Sequence, residues 1–458
     1  MLGVFPELLL SLVVLILVVY GLRGGILKVS IMLLILVVLI SFWLRPELTF
    51  IINYVVNGLL LTSGWVDMSK GVLVISCAAL LLLFSYKSQE KESGDSWIML
   101  VLIVLLGSLL LVSSVNWLSI YLALELQTLT LFILVAKKKT SAYSTEAGLK
   151  YFVLGAISSG LFLFGCTLLY GVSGETSIQG INSVLIGDVG KICITASLLF
   201  KLSVVPFHMW APDVYEGVPT LTTALLATMP KIGVFSVLVL VGLISNVVLF
   251  CGVLSIIYGA IGALNQTKIK RLLAYSGIGH MGFLLFGVAI GSFESIQASL
   301  VYMVLYVLMS ICVFSVFLSL KLTRALIIEV GSLSRENFVL ALTLALTFLS
   351  IAGLPPLAGF LGKWLVLLSG VASGYYLICM AIVVASVIAG VYYVRVVQII
   401  YFPNYFLLIW HKVINRVGIM NLRKSIILGV VSFLIFFLMI SPNWVLQMTH
   451  DTTISVYI

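Results

Sequence analysis

The feature that most constrains this chain is an almost unbroken succession of apolar stretches, most of them about seventeen to twenty-five residues long. A helix of about 20 apolar residues crosses a hydrocarbon layer of about 30 Å. About fourteen such stretches follow one another, near 5–22, 26–44, 68–86, 97–113, 116–136, 149–171, 191–209, 219–243, 246–264, 271–291, 296–320, 338–369 (long and interrupted), 375–401 and 425–441. Lipid offers no water to backbone N–H and C=O groups, which leaves only helices or closed barrels. A barrel strand alternates apolar and polar residues, and these runs do not. With 62% hydrophobic and 9% charged residues over 458 positions, a single soluble core does not fit. The expected fold is an all-α polytopic membrane protein of about 14 transmembrane helices.

The connecting loops test that count. Cytoplasmic-type loops collect Lys and Arg. With fourteen spans, nineteen of the 25 basic residues fall in odd-numbered loops, and only Arg45, Lys70 and Lys191 in even ones. Both termini are therefore expected on the opposite, trans side. The net charge of +9 reflects membrane orientation, not nucleic-acid binding. The N-terminus lacks a basic segment, begins with Phe5-Pro6-Glu7 and runs into a full-length span, unlike a cleavable signal. Cys77, Cys166, Cys193, Cys251, Cys312 and Cys379 all fall in apolar spans without C-x-x-C spacing, so they read as small core residues and not as disulfides or metal ligands.

The remaining three lysines, Lys201, Lys231 and Lys363, stand inside the spans, and Glu125 is the matching acid. Glu125 is the only charge between Asp95 and Lys137. At 1.5 Å rise per residue it lies roughly 18 Å from the Lys137 end of its span, beyond the reach of a glutamate side chain. A mid-bilayer ionisable residue costs about 2.5–3.5 kcal/mol on insertion scales, so four cost on the order of 10 kcal/mol. That rivals the net stability of a typical protein. Buried pairs that merely pin helix packing are the plainer alternative. Three lysines against one glutamate leave cations in excess, which suits a proton relay better.

Two spans look broken. One reads FKLSVVPFHMWAPDVYEG, the other LSIAGLPPLAGFLGKW. Proline removes a helical hydrogen bond and clashes with the preceding turn, and in lipid such a break survives only where neighbours or water satisfy the freed backbone. Two breaks in corresponding halves point to two inverted five-helix repeats, helices 4–8 and 9–13, with helices 7 and 12 broken; two unrelated proline kinks are the plainer alternative. The expected domains are a three-helix segment (1–96), a first repeat (97–243), a second repeat (246–401), and a C-terminal loop with the final helix (402–458). The halves match imperfectly: Lys201 precedes its Pro206 by five residues, whereas Lys363 follows Pro356 by seven.

Gly277-x-Gly279-x-x-Gly282 matches the dinucleotide fingerprint literally but follows no strand and has no acid at the expected offset. Small residues that let helices approach closely explain it better. His280, within this stretch, and His208, beside Pro206, are each either a satisfied core histidine or a relay member. The sequence holds no phosphate-binding Walker loop, no metal-spaced His/Cys cluster and no redox-cofactor motif. No cofactor or metal is expected in the chain. Moving a proton against a membrane potential takes about 2.3 kcal/mol per 100 mV, so either another gradient or partner subunits must drive it.

Five ordered blocks, SIYLALELQTLTLF, TEAGLKYFVLGAISSGLFLFG, FKLSVVPFHMWAPDVYEGVPT, QTKIKRLLAYSGIGHMGF and AGLPPLAGFLGKW, resemble the subunit 2 (bacterial subunit N) family of proton-pumping NADH dehydrogenase, complex I. The resemblance is dense from about Asn116 to Arg395 and thin before Trp97 and beyond Tyr401. It implies an antiporter-like subunit of fourteen helices with a proton path of mid-membrane charges. On this resemblance Glu125 is the helix-5 glutamate, Lys201 its helix-7 partner, Lys231 the connecting lysine and Lys363 the exit-half lysine, with His280 between. Leu221 stands where the family commonly has a second proline.

The resemblance also implies that NADH oxidation and quinone reduction occur elsewhere. Flavin, iron–sulfur clusters and quinone are expected on partner subunits of the membrane and peripheral arms. The wording LKYFVLGAISSGLFLFGC is closer to mitochondrially encoded versions, which need no import presequence. The mitochondrial inner membrane is the expected location, with a bacterial plasma membrane or a plastid relative as alternatives. The competing function is a subunit of a multisubunit sodium/proton antiporter or related secondary transporter, and a pure assembly scaffold comes third.

Overall fold

A computed structural model describes residues 4–20, 30, 53–55, 58–84, 91–138, 140–178, 188–242, 244–320, 325–331, 333–402 and 422–457. In chain order the helices are α1 (Phe5–Tyr20), α2 (Gly64–Leu83), α3 (Lys91–Ser113), α4 (Trp117–Val135), α5 (Ala142–Ser173), α6 (Asp188–Lys201), α7 (Trp210–Gly217), α8 (Thr220–Val241) and α9 (Ser245–Ala263). They continue with α10 (Ile269–Ile290), α11 (Phe293–Ser319), α12 (Leu333–Glu336), α13 (Phe338–Ala352), α14 (Ala358–Ala372), α15 (Tyr376–Tyr401), α16 (Leu422–Ile440) and α17 (Asn443–Tyr457).

Among the described residues, ten helices are long and apolar enough to cross a bilayer, and α1, α13 and α14 are shorter apolar ones. Each expected span has a helical counterpart except the one near 26–44, which apart from Ser30 lies outside the described residues. The seventh span is α6 plus α7 and the twelfth is α13 plus α14, so both expected breaks are present. The first falls at 202–209, where Ser203 takes φ +59. The second follows Gly353 at φ +82, and Gly359 packs so tightly that a Cβ there would overlap the Ser350 carbonyl.

Two elements depart from a purely spanning pattern. A hairpin of three-residue strands, β1 (Asn53–Val55) and β2 (Leu60–Thr62), precedes α2, with Asn53 opposite Thr62 and Gly58 at φ +78 between the strands. That φ lies in the region only glycine enters freely. The second is α17, whose Gln447, Thr449, His450 and Asp451 keep it from reading as apolar. Its buried Ser455 accepts a hydrogen bond from the Trp65 N–H at 2.8 Å, close to the start of α2.

The described chain forms two compact units. The first comprises Met1–Leu202, Leu225–Ile244 and His450–Ile458. Here α3 packs against α1, α2 and α4, α4 against α5, and α5 against α6. Among the candidate spans α8, whose residues from Leu225 on belong to this unit, is the most buried, with 94% of an 18-residue stretch covered. Phe235 on it meets Trp65 at 6.3 Å between ring centroids.

The second unit comprises Ser203–Ala224 and Ser245–Thr449. Its closest helix pair is α9 with α10, and the glycine fingerprint lies in that seam. A Cβ on Gly282 would overlap Ser255 Oγ and come within 2.6 Å of the Gly252 carbonyl oxygen. On Gly259 it would come within 2.8 Å of the Gly279 nitrogen. The motif lets two helices touch through their backbones. Around this pair, α10 packs on α7, α11 and α14, and α15 packs on α9, α13 and α14. At the start of α10, Lys268 and Arg271 pair with Glu216, and Arg271 reaches Asp213 at 3.4 Å, tying α10 to α7.

Candidate functional site

In the first unit, Glu125 sits half-buried on α4, and the Thr128 hydroxyl, one turn on, lies 3.5 Å from its Oε2. Lys201 is the last residue of α6 and is 8% exposed. Glu125 acts electrostatically on Lys201 but forms no direct ion pair with it. The expected link between the two is therefore a longer-range one. Lys231, on α8, is 1% exposed and follows Pro230, which lies inside the helix. A helical proline leaves the carbonyl four residues earlier without its donor.

In the second unit, Lys363 on α14 donates from Nζ to the Ala352 carbonyl at 2.8 Å. Its ammonium also lies 5.6 Å from the centroid of the Phe283 ring. The aliphatic stem rests on Gly353, where a Cβ would come within 2.8 Å of Lys363 Cδ. His280 on α10 is buried, with Nδ1 2.6 Å from the Tyr302 hydroxyl. His208 packs edge-on against Tyr258, ring centroids 4.3 Å apart. Three of the four in-span charges, Lys201, Lys231 and Lys363, are nearly out of contact with solvent.

Sequence reasoning missed a fifth and a sixth. Lys70, expected among loop charges, lies inside α2 and meets Glu7 of α1 at 2.6 Å, with side-chain exposures of 4% and 3%. The signal was available: Glu7 is the only acid of its span. Also missed was a group of buried tyrosines in the second unit, Tyr302, Tyr306, Tyr392 and Tyr393. A tyrosine in an apolar run looks like core, and only three-dimensional proximity sets these apart.

Residues 114–389, more than half of the chain, match the family described as NADH:quinone oxidoreductase/Mrp antiporter, TM. The chain belongs to that family. Within it, the NADH-ubiquinone oxidoreductase chain 2 of Metridium senile is 57% identical over 381 residues, covering 80% of this chain and 99% of that protein. The NADH-quinone oxidoreductase subunit N of Paramagnetospirillum magneticum is 40% identical over 373 residues, covering 76% and 77%. Among solved structures, a chain of respiratory complex I from Thermus thermophilus superposes with a TM-score of 0.85 at 25% identity, covering 96% of this chain and 98% of that one. A chain of the Mrp complex from Dietzia sp. gives 0.86 at 16% identity, covering 100% and 97%, which shows a shared fold. In this NADH:quinone oxidoreductase/Mrp antiporter fold, the in-span lysines of this chain stand at or next to its helix breaks and its intrahelical proline.

Proposed function

We propose that this chain is the proton-translocating, chain 2/subunit N-type membrane subunit of a respiratory NADH:ubiquinone oxidoreductase. It works as one subunit among membrane-arm and peripheral-arm partners, in the mitochondrial inner membrane. The 57% identity to a chain 2 relative, over nearly the whole of that relative, carries this reading over the antiporter alternative. Glu125, Lys201 and Lys231 serve proton movement in the first unit, His280 and Lys363 in the second. The repeats proposed for these residues span 97–243 and 246–401, flanked by 1–96 and 402–458. The chain itself carries no redox site: flavin, iron–sulfur clusters and quinone belong to partners, whose chemistry drives the protons.

The physical case rests on where the lysines sit. Carbonyls at a helix C-terminus lack intrahelical donors and carry partial negative charge. Lys201 ends α6, and the Lys363 ammonium binds the carbonyl that ends α13. A broken helix in lipid thus offers each lysine a place where its charged form is tolerated, while burial keeps water from fixing it there. Such a group switches between states when a neighbouring charge changes.

The test is Lys201→Ala in the assembled complex, reconstituted in vesicles with ubiquinone. Proton pumping per NADH is expected to fall at least tenfold, while NADH oxidation by an artificial acceptor at the peripheral arm is unchanged. Parent-level pumping by the assembled variant would overturn the proposal.

A further inference from the structure

Tyr302, on α11, is 1% exposed. Its ring stacks on Phe283 with centroids 5.5 Å apart and abuts Gly362, where a Cβ would come within 2.7 Å of it. Packing on these two sides fixes the ring, and the hydroxyl lies 2.6 Å from Nδ1 of His280. His280 also lines a cavity of about 20 Å³ together with Lys363, Ser276, Tyr392 and Tyr393. A space above about 10–15 Å³ admits one water when two to four polar groups face it. Ser276, Tyr392 and Tyr393 thus bring three hydroxyl groups to this space, the Tyr393 hydroxyl lying beside those of Tyr392 and Ser276.

We propose that Tyr302 is a positioning residue for proton transfer from His280 to Lys363, and that the cavity binds the single water carrying that proton. This rests on the proton-path reading of His280 and Lys363 given above. In the imidazolium both ring nitrogens carry a hydrogen, so the Tyr302 oxygen accepts from Nδ1–H, and that bond is kept throughout the step. Nε2 is then the nitrogen that exchanges protons. In the step, the Nε2–H bond of the imidazolium breaks and its proton joins the water oxygen. That water passes one of its own protons to the neutral Lys363 amine, forming an N–H bond. The imidazole becomes neutral, the amine becomes ammonium, and the water and Tyr302 end as they began. The new charge stays on Lys363, whose Nζ donates to the Ala352 carbonyl oxygen at 2.8 Å.

The experiment is Tyr302→Phe in the assembled complex, with Lys363→Ala measured beside it. Phenylalanine keeps the ring packing and removes only the hydroxyl. Pumping per NADH is expected to fall roughly tenfold or more, its pH profile to shift and its solvent deuterium isotope effect to rise, with artificial-acceptor activity unchanged. Tyr302→Phe with parent pumping and an unshifted pH profile, while Lys363→Ala fails to pump, overturns the positioning role and leaves the proton path standing. If both variants pump like the parent, the proton path itself is wrong. Should Tyr302→Phe not assemble, Ser276→Ala removes a hydroxyl lining the same cavity. It is expected to slow pumping severalfold, and parent-level pumping there overturns the water site.

Discussion

The Lys363 ammonium holds the Ala352 carbonyl at 2.8 Å across the break between α13 and α14. In the sequence Lys201 and Lys363 stand on opposite sides of their prolines, which makes the two halves look unlike. In the structure each belongs to the C-terminal end of a first half-helix, Lys201 as its last residue and Lys363 through this hydrogen bond. The common factor is the set of carbonyls a helix end leaves open, not the spacing to proline.

Lys363→Ala is therefore expected to act twice. Leaving the Ala352 carbonyl buried without its donor costs about 1–3 kcal/mol, read as a lower melting temperature of the purified complex. Proton pumping falls as well. Lys363→Arg keeps the charge but brings a planar, bulkier head, and should restore stability more than pumping. Equal stability and pumping in parent and Lys363→Ala would show that the contact does neither.

The glycine fingerprint gives a sharper contrast. Gly282→Ala should destabilise the α9–α10 seam by about 1–3 kcal/mol, because its Cβ would meet backbone and Ser255. Gly279→Ala, whose Cβ would meet nothing within 4 Å, should assemble like the parent. Blue-native gels of both variants measure this. A dinucleotide site would be equally sensitive at both glycines, so equal losses would count against a packing seam.

These contrasts also show what was legible in the sequence. Apolar run length placed the spans, and Pro206, Pro355 and Pro356 placed both breaks, because lipid and proline act locally on the chain. Glu125, Lys201, Lys231 and Lys363 announced themselves as charges in apolar surroundings. The Tyr302 hydroxyl did not: its partner, His280, is 22 residues away on another helix, and no local pattern encodes that contact. Lys70 was misplaced because it lies near a span end, where a loop lysine and a buried one look alike. The helix α17 escaped because its polar residues break the apolar pattern while its Ser455 is anchored by the Trp65 N–H.

The Glu7–Lys70 pair makes a prediction about stability alone. Both side chains are almost wholly buried and 2.6 Å apart. Removing one partner of such a pair costs about 3–5 kcal/mol, whereas replacing both by apolar or neutral groups of similar size is nearly neutral. Lys70→Ala should thus sharply lower the amount of assembled complex in membranes. The double variant Glu7→Gln, Lys70→Met should recover most of it. A double variant no better than Lys70→Ala would show that the charges act independently.

Glu125 should behave in the opposite way. It is half-buried, its carboxylate is near the Thr128 hydroxyl, and it reaches Lys201 only at longer range. Coulomb energy falls with distance and with solvent access, so the pair holds the fold together far less than Glu7 and Lys70 do. Glu125→Gln keeps the shape and the contact with Thr128 while removing the charge. It is expected to change stability by less than about 1 kcal/mol, with normal assembly, yet to lower proton pumping severalfold because Lys201 no longer feels a carboxylate that can bias its proton. Melting temperature and NADH-driven proton uptake of the same preparation separate the two effects. A large loss of stability with pumping per assembled complex unchanged would make Glu125 a packing residue, and the first charge of the proposed path would have to be sought elsewhere.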